Sequence, residues 1–505
     1  VASAQARYDA LAAARSTVLE RARDAARLTI PGIIPDDGQN EHTIFKQPYQ
    51  SVGARGVASL ASHLLLALFP PNLPFFRLSL DEEVANALGQ DLGQANEKLA
   101  QIGRTVLGLM EGNALRTVLM EVLRHLIVAG NVLLHVPLDG KNARLFRLDQ
   151  YVVKRDAAGR YSEIIVKEEV DPSTLSPEVR TAVSLDLPSS ATVSGKIAIY
   201  TRVTRANGQV QHYQEIKGKE VPGSRGGSPE DVAGWFPLRW LVVPGSDYGR
   251  GHVTEVIGDL MSLEDLTMAM VKFAAEASRI LRIVDPNAGI DVEELASAET
   301  GDFLTGYRDR IQTLQLEKSQ DWLVMNQLAE RIEKRVENSF LISSGQIRDA
   351  ERVTAEEVRL VAQELETVLG GTYTVLSAEL QLPLTNRYLY IAGRRGVIPR
   401  LPKTITPKVV TGFDALGRGA AVNRLRAWLG DLQATFGNGW QSYARVDEIM
   451  HRLGEGVEDV GGMIKSADEL QADQQNAALA EAGRVAAPQI AKAAFAEAPQ
   501  QSEPA

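Results

Sequence analysis

The sequence predicts an α+β fold, mainly helical. Long stretches at both ends of the chain repeat apolar residues at helical spacing. Residues 143–243 switch to alternating patterns separated by tight-turn residues. The composition, 44% hydrophobic and 23% charged over 505 residues, is that of a folded chain with a large core and two or more structural regions. There are no cysteines, so disulfides and thiolate metal sites are excluded.

The elements follow in order. Residues 3–28, rich in alanine and arginine, read as a helix, and "TIPGIIPDDGQN" (29–40) breaks it with Pro31, Gly32 and Pro35. A buried helix is expected at 50–69, with further helical patterns at 82–112 and 114–129. "VAGNVLLHVP" (128–137) turns into a buried strand. Residues 144–170 form a hairpin pattern around Asp156–Gly159, and 196–218 form another with Asn207-Gly208 as its turn. The Pro- and Ser-rich 171–195 read as a surface excursion, and "PGSRGGSPED" (222–231) as a flexible loop.

From 253 the helical period returns. Residues 253–284 contain no proline and predict one helix of roughly 45 Å. A smaller unit follows at 285–319, whose end alternates like a strand, and then a second long helix at 321–343. "SSGQIRDAE" (343–351) is a short charged loop. In "RVTAEEVRLVAQELETVLGG" (352–371), Thr354 and Glu357 make a capping box, and Val358, Val361, Leu365, Val368, Tyr373, Leu376 and Leu380 continue a helix expected to kink at Gly370-Gly371. Prolines 399, 402 and 407 mark a boundary. Helical patterns follow at 419–434, 441–453 and 466–482, and the Ala/Gln/Pro-rich end reads as a flexible tail.

The chemistry the sequence lacks narrows its function. "SGK" (194–196) and "KGK" (217–219) are not phosphate-binding loops, and no dinucleotide fingerprint follows a strand. The seven histidines are scattered, without an H-E-x-x-H pair; His125 and His135 read as core or surface histidines rather than ligands. "GSDYGRG" (245–251) lacks nucleophile-elbow spacing and reads as a Gly-rich loop into the long helix. No apolar run is long enough to span a bilayer, and no signal-peptide pattern is visible in the alternating arginines and alanines near Val1. The net charge of −10 argues against a broad basic grip on nucleic acid, though not against nucleic acid sliding through the protein. Nothing supports catalysis, and no cofactor or metal is expected.

Several stretches together resemble the portal, or head–tail connector, proteins of short-tailed bacteriophages of the autographivirus kind. They are "QPYQSVGARGVASLASHLLLALFP", "LIVAGNVLLHVP", "YVVKRDAAG", "DYGRGHVTEVIGDLMSLEDL", "TGDFLTG", "LQLEK", "RVTAEEVRLVAQELETVLGG" and "LSAELQLPL", in family order from about residue 47 to 385, with "GFDALGRG" (412–419) beyond. The resemblance implies a portal-type ring subunit with wing, stem, clip and crown regions. The wing would run to 252 and the first stem helix over 253–284. The clip would occupy 285–319, the second stem helix 320–343, a tunnel loop 344–353, and the wing helix and linker 354–404. The crown would span 405–482 and the flexible tail 483–505.

The resemblance further implies a ring at the capsid vertex, usually of twelve subunits, through which double-stranded DNA is packaged, retained and ejected. Its partners would be the terminase large subunit, tail adaptor and nozzle proteins, the major capsid protein, scaffolding protein and internal core proteins, in a virion assembled in the host cytoplasm. Gln346, Arg348, Asp349 and Arg352 on the tunnel loop become candidates to face DNA, with Arg348 or Arg352 toward the axis. The alternative is that both arginines pair with Asp349, Glu351 or a neighbouring subunit, and the two roles can coexist. Lys272, Arg279, Arg282, Arg331, Lys334 and Arg335 on the stem helices are candidates to line the channel, with ion pairing as their alternative role. Twelve copies at −10 each give the ring a formal −120, so DNA would move through an acidic bore without being held. Two other readings stay open: a packaging ATPase or nuclease, and a helical adaptor without a DNA channel.

Overall fold

The computed structural model describes residues 3–39, 42–71, 74–81, 92–183, 196–277, 281–285, 292–299, 311–314, 319–342, 369–402, 404–409 and 427–437, with isolated positions 83, 84, 87, 365, 425 and 449. The chain divides into two compact units, Val1–Leu416 and Gly417–Ala505. In the second unit the described structure is a helix at 427–436, with Trp428 and Phe436 exposed.

The first unit opens with helix α1 (Ala4–Arg27), capped by the Ser3 hydroxyl, which accepts from the Ala6 N–H at 3.2 Å. Its arginines are not all solvated. Arg15 is buried and donates to the carbonyls of Leu148, Asp149 and Tyr151, so the helix is fastened to the loop before the main sheet. Tyr8 packs edge-on against Tyr200, with ring centroids 5.6 Å apart.

That sheet has six strands: β4 (Tyr151–Arg155), β5 (Tyr161–Val170), β6 (Ile197–Ala206), β7 (Gln209–Ile216), β8 (Lys219–Glu220) and β9 (Gly226–Pro229). Both expected hairpins are present. Asn207 and Gly208 have φ of 54° and 71°, the double left-handed turn that matches strand twist. Strand β9 corrects the expected loop at 222–231, because it pairs with β7 from Gln209↔Pro229 to His212↔Gly226. Backbone pairing needs no apolar pattern, and a Cβ on Gly226 would lie 2.4 Å from the His212 ring.

A second sheet places β2 (Asn131–His135) between β3 (Arg144–Phe146) and β10 (Trp235–Arg239). Pro237 is tolerated in β10 because that strand lies at the sheet edge. Helices α2 (Val52–Leu68), α3 (Leu92–Gly112) and α4 (Leu115–Ala129) supply the main core through Leu60, Leu64, Val106, Leu119, Leu123 and Leu126. Gly130 ends α4 at φ 72°, its N–H bonding the Leu126 carbonyl at 2.9 Å. A Cβ there would meet the Gly251 nitrogen at 2.3 Å.

The expected single helix at 253–284 is three elements. A turn, α5 (His252–Glu255), breaks at Val256 before α6 (Ile257–Ala277), and Leu281–Val284 is strand β11, paired antiparallel with β12 (Ile311–Leu314). The short run "ILRIV" fits either period, and Pro286 disfavours helix at the residue before it. After the short α7 (Val292–Ser297), helix α8 (Ser319–Ser339) matches the second long pattern.

Leu365 and Leu369 are helical, and Gly370 breaks from helical geometry at φ 50°, where the kink was expected. Helix α9 (Gly371–Leu376), a π turn (Ser377–Gln381) and α10 (Leu382–Arg394) then run as one rod. The π turn lets Pro383 enter without ending the helix, since the wider turn absorbs the ring that would clash in a regular one. Strand β13 (Ile405–Val409), expected to open the crown, instead pairs with β1 (Phe76–Leu80). The expected tunnel loop at 344–353, the expected Thr354–Glu357 cap, most of the expected clip, and the helices expected at 441–453 and 466–482 lie outside the described residues.

Candidate functional site

The site is the antiparallel pair α6 and α8 and what seats it. Its near end is fixed by the loop at 245–251. Asn131 bridges that loop, donating to the Gly249 carbonyl at 2.9 Å and accepting its N–H at 2.7 Å. The Asp247 carboxylate accepts from the Arg155 N–H at 2.7 Å. The Gly-rich stretch is thus pinned to strands β2 and β4.

The base of α8 is held on two sides. Arg55 from α2 reaches Glu333 at 2.9 Å and Glu337 at 3.5 Å. His252 stands against Phe340 edge-on at 5.1 Å, and its Nε2 lies 3.0 Å from the Ser339 carbonyl. Burial lowers the His252 pKa. Gly56 lets α2 approach, because a Cβ there would fall 2.6 Å from Phe340. On α6, the Glu264 carboxylate accepts the N–H groups of Tyr49 at 3.0 Å and Gln50 at 3.2 Å. Neither Arg55 nor Glu264 was singled out from the sequence. Their partners lie more than two hundred residues away, and no local spacing signals such contacts.

The two helices meet through Leu260 and Leu263 on α6 and Ala329, Ile332 and Val336 on α8, all buried. Arg335 crosses from α8 to Asp259 at 2.6 Å, but both side chains are solvated, so this pair contributes little stability. Of the sequence candidates, the structure places Lys272, Arg331, Lys334 and Arg335 exposed on this pair. Arg282 lies in strand β11 opposite Thr313, not on a stem helix as expected. Arg279, Gln346, Arg348, Asp349 and Arg352 lie outside the described residues.

The exposed side chains fall on distinct stripes. On α8, Val324, Leu328, Arg331 and Arg335 recur at spacings of four, three and four, which line one helical face; Val324 is 65% exposed and Leu328 46%. Leu323, Gln327, Glu330 and Lys334 form a second stripe further round. On α6 the exposed Met261, Asp265 and Lys272, with the half-buried Met268, repeat the same spacing. Apolar side chains exposed at this density on long helices mark surfaces for other protein, not for water.

Catalytic and metal constellations are a different matter. Among the described residues no group of three His, Asp or Glu side chains could hold a metal ion. His125 is buried in α4, and burial with Arg147 nearby lowers its pKa to about 4. His135 stacks on Trp235 at 3.8 Å, and burial lowers its pKa to about 3. Both behave as neutral core histidines. Among the described residues, no helix is long and apolar enough to cross a membrane.

Comparison with known proteins agrees with this picture of a structural helical scaffold. Residues 1–457 match the family of bacteriophage head to tail connecting proteins. The portal protein of Escherichia phage T7 is 38% identical over 428 residues, covering 83% of this chain and 80% of that protein. The portal protein of Pseudomonas phage phiKMV is 32% identical over 486 residues, covering 93% of this chain and 94% of that one. The portal protein of Enterobacteria phage SP6 is 29% identical over 485 residues, at 95% and 93% coverage. The chain belongs to the bacteriophage head-to-tail connecting family, the portal proteins.

Proposed function

We propose that copies of this chain close into a ring at the capsid vertex, twelve in the family's usual form, whose bore passes double-stranded DNA. The observation that carries the reading is the family match over residues 1–457, with relatives covered along most of their own length. Physical support comes from α6 and α8, which expose apolar side chains on faces that a single copy leaves uncovered. Head-to-tail contacts that close on rotation give rings. The role is structural rather than catalytic. The ring would dock the terminase large subunit during packaging and the tail adaptor and nozzle proteins afterwards. It would be set among major capsid, scaffolding and internal core proteins, in particles assembled in the host cytoplasm.

Residues 344–353 are the proposed tunnel loop. They follow α8 directly in sequence, and Arg348 and Arg352 bring two positive charges per copy into a chain of net −10. The account predicts that Arg348→Ala with Arg352→Ala leaves ring assembly intact, because the cap at Thr354 begins after both. Each charged contact to phosphate is worth at least about 1.5 kcal/mol, so genome retention should fall about tenfold or more. The readout is DNA-filled particles counted after packaging with the variant. Filled particles at the parental level would remove the arginines from the mechanism.

A further inference from the structure

Between Glu379 and Asp414 the sequence has six basic residues, Arg387, Arg394, Arg395, Arg400, Lys403 and Lys408, and no acidic one, in a chain of net −10. Arg387 is buried in α10, and its guanidinium donates to carbonyls, those of Val136 and Val232. Lys403 lies outside the described residues. The other four are exposed, and none of them forms an ion pair among the described residues. Exposed arginines elsewhere do find carboxylates, as Arg27 does with Asp24 and Asp36, and Arg225 with Glu220.

The fold brings these charges onto adjoining segments. Gly396, at φ 72°, follows the end of α10, its N–H bonding the Gly393 carbonyl at 3.3 Å, and the chain turns back there. A Cβ on Gly393 would come 3.9 Å from the Arg400 Cα, so Arg400 lies against the turn that carries Arg394 and Arg395. The chain bends again at Pro402, whose carbonyl accepts the Ile405 N–H at 3.1 Å, and enters β13. There Lys408 stands directly opposite Arg77 of β1, both exposed, while Phe76 and Leu78 on the other side of β1 are buried. Like charges directly opposite destabilise a strand pair. The next positions on that outward face are Ser79 and Thr406, and the first carboxylate, Asp81, follows the end of β1, about 13 Å along from Arg77.

We infer that this basic surface, Arg394, Arg395 and Arg400 after α10 with the Arg77–Lys408 pair on β1 and β13, binds the phosphate backbone of double-stranded DNA. It is carried by other elements than α6, α8 and the proposed tunnel loop. Four of its five cations are arginines, whose planar fork pairs with two phosphate oxygens at once. The Ser79 and Thr406 hydroxyls beside them are groups that bond phosphate without reading sequence. The outward face of β1 and β13 presents no apolar anchor, which the core of a protein interface would need. From Ile405 to Lys408 the strand runs about 10 Å, the length of about three phosphates along one DNA strand. The net charge of −10 opposes a broad grip on DNA, and a patch of five cations is a local one. A single copy carries the whole surface, so the inference does not depend on the ring.

Binding of the full chain to a short fluorescent duplex of mixed sequence, titrated from about 50 to about 200 mM salt, tests it. Arg394→Gln with Arg395→Gln and, separately, Arg77→Gln with Lys408→Gln should each weaken binding about tenfold or more at the lower salt. Each pair should also flatten the slope of log affinity on log salt by about 2 for every copy in contact, which a merely structural role would not do. Lys196→Gln with Lys217→Gln, which takes the same charge from exposed positions of the main sheet, should leave affinity and slope near the parent's. Native mass spectrometry of the same samples reports ring formation, so the site and the ring are judged separately. A parent that does not bind the duplex overturns the site. Parental slopes in both patch variants overturn it too and place DNA elsewhere, with the ring reading untouched. Equal flattening by the Lys196 and Lys217 variant would reduce the effect to bulk charge and overturn the site as well. Polyglutamate bound more tightly than the duplex, and lost by the same two variants, would assign the surface to an acidic protein and overturn the DNA reading.

Discussion

His125 sits in the middle of the apolar face of α4, its Nδ1 without a hydrogen-bond partner among the described residues. Burial first, and Arg147 second, hold its folded pKa at about 4. Between that value and the unfolded value of about 6.5, the unfolded chain binds a proton that the folded chain refuses, so stability rises with pH across this window. The contribution is fully present above about 6.5 and is lost as pH falls toward 4, at about 1.4 kcal/mol per unit. His135, stacked on Trp235, adds to the same slope. The expected outcome for His125→Leu is a flatter dependence of the urea midpoint on pH, with about 2 kcal/mol less lost between pH 7 and 5. A slope equal to the parent's would show that His125 protonates freely in the folded state. The sequence assigned these histidines to core or surface roles correctly, but it could not say that their neutrality is a condition of folding.

At the scale of elements, α2 and α8 are joined by an absence of side chain. Phe340 fills the space over Gly56, and the described structure ends two residues later at Ile342, just before the proposed tunnel loop. Adding a Cβ at Gly56 should cost about 1–3 kcal/mol by overpacking, seen as a lower thermal midpoint for Gly56→Ala. An unchanged midpoint would mean that α2 does not press on Phe340. Gly56 gave no signal in the sequence, because a glycine inside an apolar helix reads only as a weak position. The hairpins were legible, since Asn207-Gly208 dictates its own turn, and so was α8, whose period is sustained over five turns of charged and apolar residues. Strand β11 was not, because four residues cannot distinguish the helical from the strand period. Strand β9 was hidden for another reason: its pairing with β7 is made by the backbone of glycines and a serine.

For the whole molecule, the family was legible because long motifs survive in order, from "QPYQSVGARG" to "LSAELQLPL". The candidate site was legible only in part. Arg331, Lys334, Arg335 and Lys272 are exposed on the helix pair, but which face each takes depends on packing between α2, α6 and α8 that no local pattern encodes. The proposed function joins two features of the chain, its net charge of −10 and the apolar side chains that α6 and α8 expose, in a ring that lets DNA slide past. The most direct test of that claim is an end-on image of the purified full chain by electron microscopy, with subunits counted by native mass spectrometry. The account predicts closed rings with an axial hole and a mass that is a whole multiple of the chain, twelve in the family's usual form. A folded monomer at micromolar concentration, or a closed particle without a hole, would contradict it.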